Sequence, residues 1–270
     1  MPSYSGIWTL SQQFQAVGQG LWPPNFVPPE TFAIFALGRT CGFTLLTTRN
    51  KYTYSGDAVS AGGAATVAST YGSAAGNSTV GIFALGSAPS ASTTRNKYTY
   101  SSCAVSAGGA ATVASNVGSA AGNSTVGIFA LGLENGATYS TTRNKYTYSS
   151  CVVSAGSAAT VASAFGSAAG TSTVGIFALG NTNCGRVTTR NKYTYSGDVV
   201  SAGGAATTAS SEGSAAGTST VGIFALGFTT AASTTRDKYT YSGDVVAAGG
   251  AATVASACGS AASNGTTGVN

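Results

Sequence analysis

Few residues in this 270-residue chain could carry acid–base, nucleophilic or metal chemistry. The chain has no histidine, seven acidic residues and five cysteines. Asp57, Asp198 and Asp244 all end the same Tyr-Ser-Gly-Asp segment, where aspartate is a common turn residue. Glu134 and Glu212 lie in less regular segments, and a glycosidase would need such a pair about 5–10 Å apart. Because histidine is the commonest general base and metal ligand, the sequence predicts no enzyme, no metal site and no cofactor.

The five cysteines show no Cys-x-x-Cys spacing. Cys103 and Cys151 stand where other copies of the turn segment have aspartate. Equivalent positions in successive repeats are expected to lie farther apart than the roughly 4.4–6.8 Å between Cα atoms that a disulfide allows. The sequence therefore predicts free thiols.

The charges of the chain are few and dispersed. Twelve basic and seven acidic residues give a net charge of +5, and ten of the basic residues belong to one repeated block. They are therefore not gathered into the basic stripe that nucleic-acid binding needs. No apolar run reaches the roughly twenty residues that cross a bilayer, and residues 1–6 lack the basic and apolar regions of a signal peptide. We expect no nucleic-acid partner, no membrane insertion and no cleaved signal.

A repeat of 46 to 48 residues positions these side chains. The segment Val-Gly-Ile-Phe-Ala-Leu-Gly at residues 80–86 recurs at 126–132, 174–180 and 221–227 and, altered, at 32–38. A block reading Thr-Thr-Arg-Asn-Lys-Tyr-Thr-Tyr follows each copy, with Asp237 replacing the asparagine in the last. A unit so small and so rich in Gly, Ala, Ser and Thr cannot bury a sufficient core alone. The five units are therefore predicted to pack into one domain, residues 31–270.

Each unit is predicted to form four short antiparallel strands. In the unit from Tyr71 to Ser115, a small-residue strand precedes a turn at residues 76–78, and an apolar strand follows from Thr79 to Leu85. Residues 95–100 alternate in the manner typical of a third strand, and the fourth strand falls within 104–115. A four-stranded meander of this length is typical of a propeller blade.

The chain ends indicate how such an array would close. The first unit has no first strand of its own, because it begins at its second strand, Phe32 to Leu37. After the last unit the chain continues into a segment with the first-strand pattern, Cys258 to Ala262. We therefore predict that strands from both termini share one sheet and close a five-bladed β-propeller without open edges. The alternative is a solenoid, which would need polar capping repeats, and neither end resembles one.

The order Tyr-Gly-x-Ala-Ala, Gly-Ile-Phe-Ala-Leu-Gly and Asn-Lys-Tyr-Thr-Tyr resembles a kelch repeat over residues 32–262. The kelch resemblance implies small-residue, apolar and tyrosine-bearing strands in that order. The chain departs from the kelch pattern at two places. Leu85-Gly86 stands where the family has Gly-Gly, and the tryptophan that follows the tyrosine in the family is missing. Tyr and Phe rings must then fill the space between blades.

Residues 1–30 lie outside the repeat and form a predicted N-terminal arm. Leu10, Phe14 and Val17 recur at i, i+4 and i+7, which predicts a short amphipathic helix. Both tryptophans of the chain, Trp8 and Trp22, are in this arm. These five residues are our candidate anchoring residues, by which the arm would insert into another subunit. The alternative is that the arm covers a sheet edge of its own domain.

The arm also carries a second resemblance. The segment Ser5–Ala16 and the following Leu21-Trp22-Pro23 are similar to the opening of structural proteins of tailed bacteriophages, including cyanophages. Repeats with a Lys-Tyr-Thr-Tyr core also resemble those of phage virion proteins. The resemblance implies a virion component, assembled in the host cytoplasm, whose arm docks on other virion proteins.

Variation between the units indicates where a ligand could bind. The units differ at the loop after Leu-Gly and at the residue pair before Gly-Ser-Ala-Ala, and both segments are predicted to emerge at the same end of the sheets. Drift in exposed loops is the alternative, but drift should affect both ends equally. We take this end as the candidate binding surface. Its candidate residues are Arg39, Phe43, Tyr71, Glu134, Asn135, Tyr139, Phe165, Asn181, Asn183, Arg186, Glu212 and Phe228.

The expected function is that of a phage tail fibre or adhesin whose variable surface binds a glycan or receptor of the host cell. Two alternatives stay open. One is a head or tail decoration protein with a structural role, and the other is an intracellular propeller for protein interactions. The sequence does not identify the receptor or the oligomeric state, and self-association into a homo-oligomer remains an option.

Overall fold

The computed structural model describes residues 32–36, 38–40, 42–54 and 56–261. All regular elements in these ranges are β-strands, which confirms the all-β class. Within the described part there is no helix of the length and apolarity needed to cross a membrane. The arm with its predicted helix, and its residues Trp8, Leu10, Phe14, Val17 and Trp22, lies outside the described residues.

The strands form five successive units of the same antiparallel meander, numbered 1 to 5 below. Units 2 to 5 each contain four strands, and unit 1 contains the second, third and fourth. The first strands are Ser73–Gly76, Ser119–Gly122, Ser167–Gly170 and Ser214–Gly217, and the second strands are Phe32–Ala36, Val80–Ala84, Val126–Ala130, Val174–Ala178 and Val221–Ala225. The third strands are Arg49–Thr53, Arg95–Thr99, Arg143–Thr147, Arg190–Thr194 and Arg236–Thr240, and the fourth strands are Ala58–Ala61, Ala104–Ala107, Val152–Gly156, Val199–Ala202 and Val245–Ala248.

The two ends of these sheets differ. At one end, here called the loop end, the second strand leads through a long loop to the third, and the fourth strand leads to the next unit. At the other, the turn end, tight turns join the first strand to the second and the third to the fourth. The loop end also carries five two-residue strands: Ser115–Asn116, Leu133–Glu134, Thr138–Tyr139, Asn181–Thr182 and Gly185–Arg186.

The small residues of the first two strands make room for a tyrosine ring. A Cβ atom added to Gly81 would lie 2.8 Å from the hydroxyl oxygen of Tyr100, and one added to Gly217 would lie 2.6 Å from that of Tyr241. Any larger side chain at these glycines would displace the ring. The first strands of successive units contact one another, so they form the inner side of the array, and the fourth strands are the exposed outer side.

Successive units pack through one repeated apolar interface. One face of unit 2 presents Val80 and Ile82, and these side chains pack against Phe129, Tyr146 and Tyr148 of unit 3. The same kinds of residue meet between units 3 and 4 and between units 4 and 5. Phenylalanine and tyrosine rings therefore fill the interface, as the missing tryptophan predicts.

A buried arginine completes each interface. The guanidinium of Arg95 lies 4.6 Å from the centre of the Phe129 ring, and its Nη2 donates a hydrogen bond to Oδ1 of Asn144, 3.0 Å away in the next unit. That oxygen also accepts a hydrogen bond from the backbone N–H of Thr112. The same arrangement recurs at Arg49, Arg143 and Arg190, and all four arginines are at most 2 % exposed. The alternation of the third strand thus turns arginine towards one neighbouring unit and asparagine towards the other.

An ion pair joins the units at the turn end, and its pH dependence can be predicted. Burial acts to raise the pKa of Asp198, but hydrogen bonds from Lys145 and Tyr193 outweigh it and lower the pKa. Because the pKa of Asp198 is lower in the folded than in the unfolded protein, where it is about 4, the ion pair stabilises the fold fully above pH 4. This stabilisation is lost as the pH falls through the pKa of the folded protein. Because both side chains are partly exposed, we expect less than about 1 kcal/mol.

The Asp198→Asn variant should therefore unfold at lower urea concentration than the parent protein at pH 6. The difference should shrink at pH 3, because this pH lies below the unfolded pKa and the parent's contribution declines as the pH falls towards the lowered folded pKa. Urea midpoints of both proteins at the two pH values measure this. A difference of equal size at pH 3 and pH 6 would show that the ionised pair has no part in it.

Within the described ranges, the two terminal faces of the array lack the packing found between the units. Ile223 of unit 5 is 38 % exposed, whereas Ile82, Ile128 and Ile176 at the same position are fully buried. In unit 1, Tyr52 is only half-buried. Among the described residues, Phe32–Ala36 pairs only with the third strand, so the sheet of unit 1 has three strands. Residues 258–261 are not in a strand, so the first strand predicted at Cys258 to Ala262 to complete the sheet of unit 1 is not part of the described fold.

Candidate binding site

The two segments that vary between units lie together at the loop end. Residues before the first strand pair with the long loop of the same unit: Thr70 with Ser87, Asn116 with Leu133, Ala164 with Asn181, and Ser211 with Phe228. The variable residues thus form one paired layer across the ends of the sheets. A ligand that crosses this layer would meet residues of several units.

A backbone ladder links the units at the centre of this layer. The N–H of Val117 donates to the carbonyl of Tyr71, that of Phe165 to Val117, that of Glu212 to Phe165, and that of Cys258 to Glu212, at 2.8–3.0 Å. These five ladder residues are equivalent positions in the repeat. The ladder thus places two aromatic, one aliphatic, one acidic and one thiol side chain at equivalent positions of successive units.

The ladder residues all have a left-handed backbone conformation. Their φ values are 59° for Tyr71, 48° for Val117, 59° for Phe165, 57° for Glu212 and 57° for Cys258. This conformation costs a residue with a side chain about 1–2 kcal/mol, and glycine would avoid that cost. No unit has glycine here, although glycine follows the ladder residue in every unit. Strain of this kind is concentrated at functional sites, because a particular side chain is needed there.

One cluster of predicted residues is built around Arg39. Its guanidinium carbon lies 4.9 Å from the ring centre of Phe43 and 5.2 Å from that of Tyr71. Phe43 is 73 % exposed and Tyr71 is 44 % exposed. The arginine therefore holds two aromatic faces at the surface, where a partner could stack against them.

A second cluster is the hairpin formed by Leu133–Glu134 and Thr138–Tyr139. Asn135 lies at its turn with a φ of 51°, and its N–H donates to the carbonyl of Ala114. Glu134 accepts a hydrogen bond of 2.6 Å from the hydroxyl of Ser140. Tyr139 is half-buried beside this hairpin. The hairpin is thus fixed by its own contacts and raises Asn135 into solvent.

A third cluster joins the loops of units 4 and 5. Asn181 pairs with Arg186 across a short hairpin whose exposed tip carries Asn183. The guanidinium carbon of Arg186 lies 4.5 Å from the ring centre of Phe228, and its Nε donates to the hydroxyl of Ser211. These contacts repeat the arginine-on-aromatic arrangement of Arg39 at a different place in the layer.

Glu212 and Cys258 form the last pair of the ladder. The Cys258 thiol lies 3.2 Å from a carboxylate oxygen of Glu212 and can donate to it. Burial, this hydrogen bond and the charge of Glu212 raise the pKa of the thiol, and the guanidinium of Arg39 opposes the shift.

The structure therefore brings the predicted residues into three clusters and a ladder. Ladder members Tyr71, Phe165 and Glu212 were predicted site residues, whereas Val117 and Cys258 were not. Both stand at the varying pair of their unit, and this signal could have identified them. Their apolar and thiol side chains did not suggest a ligand.

Glu134 and Glu212 each have a hydrogen-bond partner of their own, Ser140 and Cys258 respectively, and neither bonds to the other. Across the described ranges, no group of three or more Cys, Asp or Glu residues could hold a metal ion. The four described cysteines, Cys103, Cys151, Cys184 and Cys258, are not in disulfides. The clefts between units at the loop end hold only about 10–20 Å³. The arrangement suits contact with an extended partner rather than enclosure of a small molecule.

No protein-family model matches the chain, and no curated protein sequence matches it.

Proposed function

We propose that the loop end of this protein is a binding surface for a glycan or receptor on a host cell, carried on a bacteriophage particle as part of a tail fibre or adhesin. The observation that carries the proposal is the ladder. Five different side chains occupy a strained position at which glycine would be easier, and their neighbours are the most variable residues of an otherwise repeated chain. The turn end has the same backbone conformation at Asp57, Cys103, Cys151, Asp198 and Asp244, so the variety of the ladder side chains, rather than the strain alone, carries the argument.

The exposed side chains favour a glycan. Arg39 orients the rings of Phe43 and Tyr71 at the surface, and Asn135 and Asn183 present amides from exposed turns. Sugars stack their apolar faces on aromatic rings and exchange hydrogen bonds with amides and guanidinium groups. The clefts between units at the loop end hold only about 10–20 Å³, which fits an extended saccharide lying across several units.

We further propose that the five units close into a five-bladed propeller by packing the face of unit 5 on the face of unit 1. Unit 5 presents Ile223 and Arg236, and unit 1 presents Phe35, Asn50 and Tyr52, so both halves of the internal interface are available. The guanidinium of Arg39 in unit 1 opposes the rise in the pKa of the Cys258 thiol that follows unit 5, and this interaction supports the proposed closure. Closure would turn the ladder into a ring around one central site.

The assignment to a virion rests on the resemblance of residues 5–23 to phage structural proteins. The arm, residues 1–30, would attach the propeller to other virion proteins through Trp8, Leu10, Phe14, Val17 and Trp22. The loop end would then face the host.

A loop-replacement experiment tests the binding surface. In one variant the loops at residues 39–46, 133–139, 181–187 and 228–232 are replaced by the short loop of unit 2, Ser87 to Ala91. A control variant, Asn77→Ser/Asn123→Ser, changes the turn end instead. Binding of the labelled proteins to host cells and to a glycan array is measured. We expect the loop variant to lose at least 10-fold in affinity, about 1.4 kcal/mol, and the control to bind as the parent does.

Retention of full affinity by the loop variant would place binding elsewhere. A third protein lacking residues 1–30 separates the adhesin from the decoration protein. An adhesin without its arm still binds cells, whereas a decoration protein has no affinity for cells with or without the arm.

A further inference from the structure

Beneath the ladder, each interface between units contains a buried guanidinium with unsatisfied donors. Arg95 is 2 % exposed and Arg143 is 1 % exposed. Nη2 of each donates to an asparagine of the next unit, but the Nε and Nη1 of both have no hydrogen-bond partner among the described residues. A buried donor without a partner costs about 1–3 kcal/mol, and more when the group is charged.

These two charges also lack a carboxylate partner. The acceptors of Arg95 and Arg143 are the neutral amides of Asn144 and Asn191. Burial lowers the pKa of each arginine to about 10, which still leaves both guanidinium groups positively charged at neutral pH. An isolated buried charge is costly, and proteins normally neutralise it with a partner of opposite sign.

The fourth interface supplies that partner from the chain itself. Arg190 donates to Asp237 at 2.8 Å, and both side chains are fully buried. Asp237 replaces the asparagine found at this position in the other four units. The hydroxyl of Thr207 donates to the same carboxylate, as other threonines pair with the asparagines. The repeat can therefore accept an anionic group at this place.

A small cavity adjoins two of the three buried arginines that lack a carboxylate, Arg95 and Arg143. The cavity beside Arg95 holds about 20 Å³ and is also lined by Phe129, Ser92 and Thr94. The equivalent cavity beside Arg143 holds about 10 Å³ and is lined by Phe177, Ser140 and Thr142. Arg190 is not among the residues that line the cavity of its own interface. Each volume is close to that of one water-sized particle.

We propose that the cavities beside Arg95 and Arg143 each bind one small monovalent anion, such as chloride, against the guanidinium donors that have no partner. Ladder residues Tyr71 and Val117 also line these cavities, so each site lies directly below the proposed binding surface. The bound anion would stabilise the interface between units, in the way that Asp237 stabilises the last one. The proposal does not depend on what the loop end binds.

Anomalous scattering from bromide tests the sites directly. Crystals of the full chain grown in sodium bromide should show an anomalous peak beside Arg95 and another beside Arg143, and none beside Arg190. Ordinary water density without an anomalous peak at the first two arginines would overturn the proposal.

Thermal unfolding provides a second test with matched variants. The parent protein should unfold a few degrees higher in sodium chloride than in sodium gluconate of equal ionic strength, because binding to the folded state raises Tm. In the double variant Asn144→Asp/Asn191→Asp, the new carboxylates take the place of the bound anions. The difference in Tm between chloride and gluconate should therefore disappear. Asp237→Asn should enlarge it. Equal chloride effects in all three proteins would mean that chloride acts without these sites.

Discussion

Phe177→Ala is expected to lower the free energy of unfolding by about 3–5 kcal/mol, the usual cost of removing a buried aromatic ring. Phe177 is 1 % exposed and packs against Val126 and Ile128 of the preceding unit. Its ring also lies 4.7 Å from the guanidinium of Arg143. The substitution would therefore remove apolar contacts and the cation–π partner of a buried charge in a single step.

Urea unfolding followed by circular dichroism measures this change, and Phe43→Ala is the matched control. Phe43 is 73 % exposed, so its removal should change stability by less than about 0.5 kcal/mol. In a thermal experiment each kcal/mol should appear as a shift of roughly 2–4 °C for a domain of this size. Equal losses from the two variants would contradict the role of the repeated interface.

The same interface explains how much of the fold could be predicted from the sequence. The strand order of every complete unit follows from patterns within the repeat: small residues, an apolar run, an alternating segment and a turn. These are local patterns, and the register repeats without change because Val80 pairs with Thr99 and its equivalents do the same. Prediction was therefore accurate wherever one unit contained all the information.

The interior arginines show where prediction from the sequence was incomplete. The alternating pattern of residues 95–100 predicted that Arg95 and Asn96 lie on opposite faces of the third strand. It did not show that neighbouring units cover both faces. A charged residue is usually expected on an exposed face. Only the contact between units reveals that the arginine of one unit meets the asparagine of the next. This arginine is identical in all five units, and that invariance was the signal that could have indicated its buried position.

The turn residues give a second example. Cys151 was interpreted as a free thiol in a turn, and it is not in a disulfide. The structure adds that the amine of Lys97 lies 3.6 Å from its sulfur, in the place where Lys145 meets Asp198. The thiol and the carboxylate therefore occupy the same inter-unit contact. Variation at this position changes the strength of a contact and leaves the fold unchanged.

Closure of the array is the point at which local patterns no longer suffice. Each internal interface is formed by two neighbouring units, but closure needs the summed rotation of all five. Within the described residues, the side chains of Arg236 and Asn50 make none of the hydrogen bonds between units that the equivalent side chains make. Gly250 likewise has no atom within 4 Å of an added Cβ, whereas Gly204 closely approaches the carbonyl of Asp244 in the next unit. Packing unit 5 on unit 1 would restore every one of these contacts.

The proposed function depends on this closure, because only a closed ring brings Tyr71 and Cys258 together and makes the loop end a single surface. Ile176→Ala, at an internal interface, should lower the free energy of unfolding by about 2–5 kcal/mol. Ile223 stands at the same position of unit 5. Sedimentation must first show that the protein is a monomer, because a second copy could also cover Ile223. Pairing between two copies is thereby separated from closure within one.

The decisive measurement is the change in unfolding free energy caused by Ile223→Ala in that monomer. A closed ring predicts a loss within about 1 kcal/mol of that caused by Ile176→Ala, since both side chains are then buried in the same surroundings. A loss below about 0.5 kcal/mol, the value expected of an exposed side chain, would show that the array stays open and would contradict the single binding surface proposed here.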